Sequence, residues 1–308
     1  MTRTDLVPAP SLAEGGVLAR RPDLARAVED YARGAHAAES RRALDADWRH
    51  FAGWCARAGV TPLPAPAETV AAYLADLARS GRALATVLRR RASVSKVHGL
   101  AGHRPSPTRD ARVAEVVEGI RRAKGVRPPG RKLALAAQDA AGAVRSLGAA
   151  LGVRDRALAL LCLAGALRRS EVCDLRVADV AGAEWGAILT IRRSKTDQRG
   201  EGRQVAVPRA PAAGGACPVA ALAAWLAELA ADAALDGRAI DLEGYLFRAY
   251  KRNGRLRPGR LCPRQVADVA KRLAVEAGLP PGKIGGHSLR SGFVTTARAA
   301  GAPWAAVM

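Results

Sequence analysis

The chain has no C-x-x-C pair among its five cysteines. Cys55, Cys162, Cys173, Cys217 and Cys262 are odd in number and widely spaced, which argues against a disulfide framework or a thiolate zinc site and leaves isolated reduced thiols. Long apolar runs are missing as well. The longest, Ala157 to Leu167, is eleven residues closed by Arg156 and Arg168, about half of what a bilayer span needs. The opening residues carry Arg3, Asp5, Pro8 and Pro10 in place of the apolar block of a secretory signal. No carboxylate cluster and no Gly-rich phosphate loop is present, so the sequence carries no signal for a bound metal ion or nucleotide. These absences point to a soluble cytoplasmic protein.

Acidic residues are scarce, 28 Asp and Glu against 49 Lys and Arg. The resulting net charge of +21, with pI ≈ 11.1, is most easily tolerated by a protein whose partner is a polyanion, and nucleic acid leads that class. The codon bias of a GC-rich genome is the alternative source of so much arginine. A length of 308 residues with 49% hydrophobic content suits two domains, each able to bury a core.

What is present begins with helical periodicity. Leu44, Trp48, Phe51 and Trp54 fall at i, i+4, i+7 and i+10 from Ser40 onward, and further helices fit Ala67 to Arg79, Leu84 to Val97 and Thr108 to about Arg122. Four helices without strand signals predict a small all-α domain. Between Arg121 and Lys132 lie Arg121, Arg122, Lys124, Arg127, Arg131 and Lys132 with no acid, interrupted by Gly125, Pro128, Pro129 and Gly130, the composition of a basic interdomain linker. Beyond it, helices are expected over Leu135 to Leu147 and from Arg154 to Leu167, running toward Arg168. Ala187 to Arg192 and Arg203 to Pro208 then read as a β-hairpin. Helices return over Pro218 to Leu235 and Cys262 to Ala277, and Pro280-Pro281-Gly282 breaks the chain before His287.

Three short segments can carry chemistry. Arg168 and Glu171 are three apart in Ala166-Leu167-Arg168-Arg169-Ser170-Glu171, so on a helix the carboxylate can fix the guanidinium. One of only seven lysines, Lys195, sits in the hairpin turn Arg193-Ser194-Lys195-Thr196-Asp197, and an ammonium can give up a proton where a guanidinium cannot. In Gly285-Gly286-His287-Ser288-Leu289-Arg290-Ser291-Gly292, an imidazole and a guanidinium share a helical spacing at a helix start suited to an anion. Two guanidiniums and an imidazole make a clamp for a phosphodiester.

In this order the three segments resemble the catalytic domain of the tyrosine recombinases, the phage integrase family, and the N-terminal helices resemble that family's SAM-like core-binding domain. The resemblance implies a mainly α fold with a small β-hairpin or sheet. It implies a flexible arm over 1–30, a DNA-binding core-binding domain over 31–123, a basic linker over 124–133 and a catalytic domain over 134–308. Arg168 and Arg290 would hold the non-bridging oxygens of the scissile phosphate, Lys195 would protonate the leaving 5′ oxygen, His287 would assist proton transfer or hydrogen-bond the phosphate, and Glu171 would support Arg168. The family joins DNA to a tyrosine through a 3′-phosphotyrosyl link and needs no metal or cofactor. Its members work on double-stranded DNA as tetramers, so the expectation is a bacterial, DNA-associated cytoplasmic homo-oligomer with no membrane partner. Arg89, Arg90, Arg91 and Lys96 on the third helix, with the linker cations, are the candidate DNA-facing residues.

In the family a helix bearing the nucleophilic tyrosine follows the His-x-x-Arg segment, whereas the last tyrosine here is Tyr250 and the sequence closes at Ala302-Pro303-Trp304-Ala-Ala-Val-Met308. Tyr245 and Tyr250 precede His287, the wrong order for that role. The expectation is a recombinase cut short before its tyrosine, which binds DNA without cleaving it alone. The alternatives are a non-catalytic DNA-binding protein acting by occupancy and a subunit that receives the tyrosine in trans.

Overall fold

The structure is a computed structural model, and it describes residues 16–34, 38–125, 132–194, 197, 201–210 and 216–303. The chain divides into two compact units, Met1–Pro129 and Gly130–Met308.

Among the described residues of the first unit the regular elements are all helices: α1 (Val17–Arg20), α2 (Pro22–Gly34), α3 (Ala38–Ala58), α4 (Ala67–Arg79), α5 (Leu84–Leu100) and α6 (Ala111–Lys124). The apolar stripes read from the sequence converge on one core, in which Phe51, Tyr73, Leu74, Val87, Val97 and Val113 have no solvent exposure. Asp110 caps α6 by accepting the Arg112 N–H at 2.9 Å, which starts that helix after the expected Thr108. The arm expected over 1–30 is corrected from residue 17 onward, because α1 and much of α2 lie there. Pro22 suits a first helical position, Asp23 sits in the first turn, and Leu24, Val28 and Tyr31 repeat at helical spacing. Those three side chains are exposed, so α2 draws on local propensity more than on burial.

A buried carboxylate ties α3 to α5. Asp47, 4% exposed, accepts from the Ser93 hydroxyl at 2.8 Å and from the Arg89 guanidinium, with Arg90 Nε at 3.7 Å. Arg90 Nη1 also reaches His50 Nε2 at 2.9 Å, and His50 Nδ1 lies 3.0 Å from the Tyr73 hydroxyl.

The second unit holds α7 (Ala137–Leu147), α8 (Val153–Ala164), α9 (Arg169–Asp174), α10 (Pro218–Ala234), α11 (Pro263–Glu276) and α12 (Ser288–Ala299). Every residue of α8 from Ala157 to Leu163 is buried, so it forms the centre against which the others pack. A three-stranded antiparallel sheet, β1 (Val180–Ala183), β2 (Gly186–Ile191) and β3 (Arg203–Pro208), covers one side with Ile191 opposite Arg203. A second, two-stranded sheet pairs β4 (Arg248–Tyr250) with β5 (Leu256–Arg260). The sequence reading anticipated β2 and β3 but not β1, β4 or β5. Glycines in β1 and β5, the shortness of β4 and the cations of β5 hide the alternating pattern that marks a strand. The Trp225 indole N–H donates to the Leu246 carbonyl at 2.8 Å, which lets the largest core side chain be fully buried without an orphaned donor.

Replacing Asp47 with Ala leaves the largely buried Arg90 without its carboxylate. We expect a loss of about 3 kcal/mol, confined to the first unit and visible in hydrogen exchange as lost protection of α3 and α5 with α8 unchanged.

Candidate active site

The residues from Gly165 to Arg168 are not helical, contrary to the expectation of a helix from Arg154 to Leu167 running toward Arg168. Helix α8 stops at Ala164, and Ala166 takes a left-handed φ of 48°, a conformation that an L side chain adopts at a cost. Gly165 is packed so closely on Val205 of β3 that a Cβ there would lie 3.1 Å from it. The turn reverses the chain and presents Arg168, with extended backbone, as the N-cap of α9. Its neighbouring Ala166 carbonyl accepts a hydrogen bond from Arg290 Nη1.

Glu171, at the third position of α9, reaches back to this cap. One carboxylate oxygen accepts Arg168 Nη1 at 2.6 Å, and the other accepts the Arg168 backbone N–H at 2.8 Å and Arg203 Nη2 at 3.2 Å. An acidic side chain at this position returning to the cap N–H is one arm of a capping box. The carboxylate is 1% exposed. Burial pushes its pKa up, but the bonds from the Arg168 N–H and guanidinium and the charge of Arg203 outweigh burial, so the net shift is below the usual carboxylate range. Arg290 moves the other way for an arginine: burial first, then the nearby charge of Arg168, lower its pKa. The structure therefore brings Arg168, Glu171 and Arg290 together and adds Arg203. Strand alternation carried a signal for Arg203, since Val205 and Val207 are buried on the face that it shares.

His287 stands at the N-cap of α12, exposed, one turn before Arg290, with its carbonyl accepting the Ser291 N–H at 2.9 Å. The strap that leads out of the linker holds this helix. Lys132 Nζ donates to the Gly282 carbonyl at 2.7 Å, the Leu133 N–H to Lys283 at 2.8 Å, the Leu135 N–H to Ser288 at 3.0 Å and the Ala137 N–H to the Thr296 hydroxyl at 3.1 Å. A Cβ on Gly292 would fall 1.6 Å from the Leu135 carbonyl oxygen, so the sequence needs glycine where the strap crosses α12. Gly286 plays a similar part for the Arg169 side chain, which packs where a Cβ would sit.

Lys195 lies outside the described residues, as do Arg127 and Arg131 of the linker. The base of the hairpin is described. Arg192 pairs with Asp179 at 2.6 Å, and the Asp197 carboxylate accepts the Glu201 and Gly202 N–H groups at 3.1 and 2.8 Å.

The candidate DNA-facing arginines of α5 are largely occupied. Arg89 binds Asp47, Arg90 is turned inward to His50 and Asp47, and Arg91 donates to the Thr108 carbonyl at 3.1 Å. Arg89 and Lys96 keep an exposed side. On α6, Arg121 and Arg122 both lie 3.5 Å from Glu118, and Lys124 ends the helix.

No tyrosine is held in the clamp. Tyr31 is exposed on α2, Tyr73 is buried beside His50, Tyr245 lies under the Arg176 guanidinium at 3.8 Å, and Tyr250 donates to Glu228 at 2.5 Å. All five cysteines are free, and burial pushes the Cys173 thiol up to about 12. Among the described residues no group of three or more His, Cys, Asp or Glu side chains could hold a metal ion, and no helix is long and apolar enough to cross a membrane.

Two predictions follow from this geometry. Glu171→Gln leaves Arg168 and Arg203 on a neutral amide and should cost about 3 kcal/mol at pH 7. Because the folded pKa of Glu171 is depressed, its contribution is present above the ordinary value of about 4.3 and is lost as pH falls through the folded value; urea titrations from pH 7 to pH 3 should show a shallower acid limb in the variant. Gly292→Ala should destabilise the second unit by about 1–3 kcal/mol through overpacking against the strap, with lost exchange protection at Leu135 and along α12.

The model of the phage integrase family matches residues 136–308. An integrase/recombinase XerD homolog from Selenomonas ruminantium is 38% identical over 261 residues, covering 83% of this chain and 72% of that protein. Among solved structures, the Tn1549 transposon integrase in complex with transposon right end DNA superposes with a TM-score of 0.56 at 17% identity, over 91% of this chain and 87% of that one. A lambda integrase dimer bound to a core site gives 0.53 at 15% identity, over 91% and 89%. The XerH site-specific recombinase bound to its difH substrate gives 0.52 at 18%, over 79% and 62%. At these identities the structural likeness is one of fold. With the family model spanning the whole arginine clamp and a relative of 38% identity covering most of the sequence, the chain belongs to the phage integrase family of tyrosine recombinases.

Proposed function

We propose that the second unit binds the scissile phosphate of duplex DNA in the clamp of Arg168 and Arg290, for strand exchange through a 3′-phosphotyrosyl intermediate. The observation that carries this reading is a cluster of three guanidiniums on one buried carboxylate: Arg168 and Arg203 donate to Glu171, and Arg290, held by the Ala166 carbonyl, lies within reach of their charge, so the cluster keeps a positive excess. In this role the two arginines hold the non-bridging oxygens and stabilise the charge that builds on phosphorus in the transition state. Glu171 and the Ala166 carbonyl fix the directions of Arg168 and Arg290. His287 assists proton transfer at the start of α12, and Lys195 on the hairpin protonates the departing 5′ oxygen. The first unit serves as the core-binding module, with Arg89, Lys96 and the linker cations toward the phosphate backbone. The working assembly is a tetramer on double-stranded DNA in the bacterial cytoplasm.

The chemistry also needs a nucleophile. Tyr73 and Tyr250 are engaged away from the clamp, with burial and Glu228 raising the pKa of Tyr250, and Tyr245 is covered by Arg176. The tyrosine that attacks the held phosphate therefore comes from outside these 308 residues, and the chain by itself binds DNA without cleaving it. An occupancy role and a tyrosine supplied in trans both rest on the same clamp.

A nicked duplex that traps covalent intermediates, incubated with the 308-residue chain and resolved in denaturing detergent, tests this reading. The expected result is salt-dependent binding with no protein–DNA adduct, and a loss of at least tenfold in affinity for the Arg168→Ala/Arg290→Ala variant. A covalent adduct formed by the chain alone, or undiminished binding by the double variant, sinks it.

A further inference from the structure

Residues 244–267 contain seven cations, Arg248, Lys251, Arg252, Arg255, Arg257, Arg260 and Arg264, and no acid. The structure folds most of this stretch into β4, β5 and the turn between them, closed by the Lys251 N–H on the Arg255 carbonyl at 2.7 Å. Three of the cations hold the hairpin in place. Arg248 Nε donates to the Tyr245 carbonyl at 2.8 Å, Arg255 pairs with Asp232 and Asp236 at 2.7 and 2.8 Å, and Arg260 pairs with Asp174. The nearby carboxylates are thereby used, since Asp236 also takes Arg238 at 2.6 Å.

Lys251, Arg252, Arg257 and Arg264 are left exposed, with no ion pair or side-chain hydrogen bond among the described residues. Lys251 and Arg257 share with Arg260 a hollow of about 620 Å³, whose other walls are Ala249, Pro258 and Gly259. Four unneutralised cations on one short hairpin and the helix start beside it repel one another until an anion intervenes. A protein interface would be expected to centre on buried aromatic or large aliphatic side chains, and none lines this hollow.

The Arg260–Asp174 pair fixes where this surface lies relative to the clamp. Asp174 ends α9, and Arg168 caps its start. Six residues at 1.5 Å each separate the two by about 9 Å, a distance that one duplex can span along its backbone. Arg257 lies three residues along β5 from Arg260, about 10 Å by strand rise.

We propose that the exposed cations of the β4–β5 hairpin grip the phosphate backbone of duplex DNA, independently of base sequence, a few nucleotides from the phosphate held by Arg168 and Arg290. This rests on the reading of the clamp as a duplex site. In it, the anchored arginines keep the hairpin rigid while Lys251, Arg252 and Arg257 replace counterions on the duplex.

The test is fluorescence anisotropy of the 308-residue chain on a 30-base-pair duplex of unrelated sequence, from about 50 to 300 mM salt. Lys251→Ala/Arg252→Ala/Arg257→Ala should reduce the slope of log K against log[salt] by about two to three units and weaken binding at 150 mM roughly 100-fold. Arg257→Ala alone should reduce the slope by about one unit. Arg145→Ala, which removes an exposed charge on α7, should leave it unchanged. An unchanged slope in the triple variant, with native melting behaviour, overturns the proposal while leaving the clamp reading intact. So does a drop of equal size in Arg145→Ala, or a triple variant that loses binding to polyglutamate but keeps the duplex. If the unmodified chain shows no salt-dependent duplex binding, the clamp reading itself fails.

Discussion

The buried carboxylate of Glu171 is the point on which the second unit's chemistry depends. Its two oxygens take three donors, the Arg168 guanidinium, the Arg168 backbone N–H and the Arg203 guanidinium, while Arg290 lies close enough for Arg168 to lower its pKa. One negative charge thus serves three positive ones. Like charges gathered around one site repel one another, so a cluster with excess charge persists only where the fold fixes each member. An anion entering the clamp relieves that repulsion, and the donors need no reorganisation to receive it.

The fixing comes from three stretches far apart in sequence. The left-handed turn at Ala166 places Arg168 at a helix cap and turns a carbonyl toward Arg290. Strand β3 delivers Arg203 on the face where Val205 and Val207 are buried. The strap from Lys132 to Ala137 holds α12 by backbone and side-chain hydrogen bonds and a contact that only glycine permits at residue 292. Each stretch fixes one member of the cluster, and the site exists only where they meet.

Much of this was legible in the sequence. Periodic apolar residues gave α3, α4 and α5 nearly as they stand, and the three-residue interval between Arg168 and Glu171 pointed to their contact, whereas the place of Arg290 beside them came from the family resemblance and from no local spacing. The break after Ala164 had one local sign, Gly165 at the cap, but Ala166, Leu167 and Arg168 are good helix formers and nothing local announces a left-handed alanine. What breaks the helix is tertiary: Gly165 lies against β3 and the Ala166 carbonyl meets Arg290, contacts that no window of neighbouring residues contains. The arm helices α1 and α2 carried local signals, Pro22, Asp23 and the Leu24, Val28 and Tyr31 stripe, and the expectation of a flexible arm extended the polar, Pro-containing character of the first ten residues over them to residue 30.

Charge composition marks a polyanion partner without mapping the surface that meets it. Arginine in this chain does two kinds of work. Arg90 and Arg91 stitch α5 to its neighbours, Arg154 and Arg272 share Asp155 at 2.7 and 3.0 Å, and Arg255 anchors the β4–β5 hairpin. A guanidinium has five donors in a fixed plane, which suits it to carbonyls and carboxylates inside the protein as well as to phosphates outside. A run of arginines on a helix therefore says little until each guanidinium's partners are counted. On α5 the count leaves few to meet a ligand, whereas on the β4–β5 hairpin the acids are exhausted before the cations are. Net charge follows composition, but the field that a duplex meets follows this remainder, and the remainder is set by where the fold places its few carboxylates.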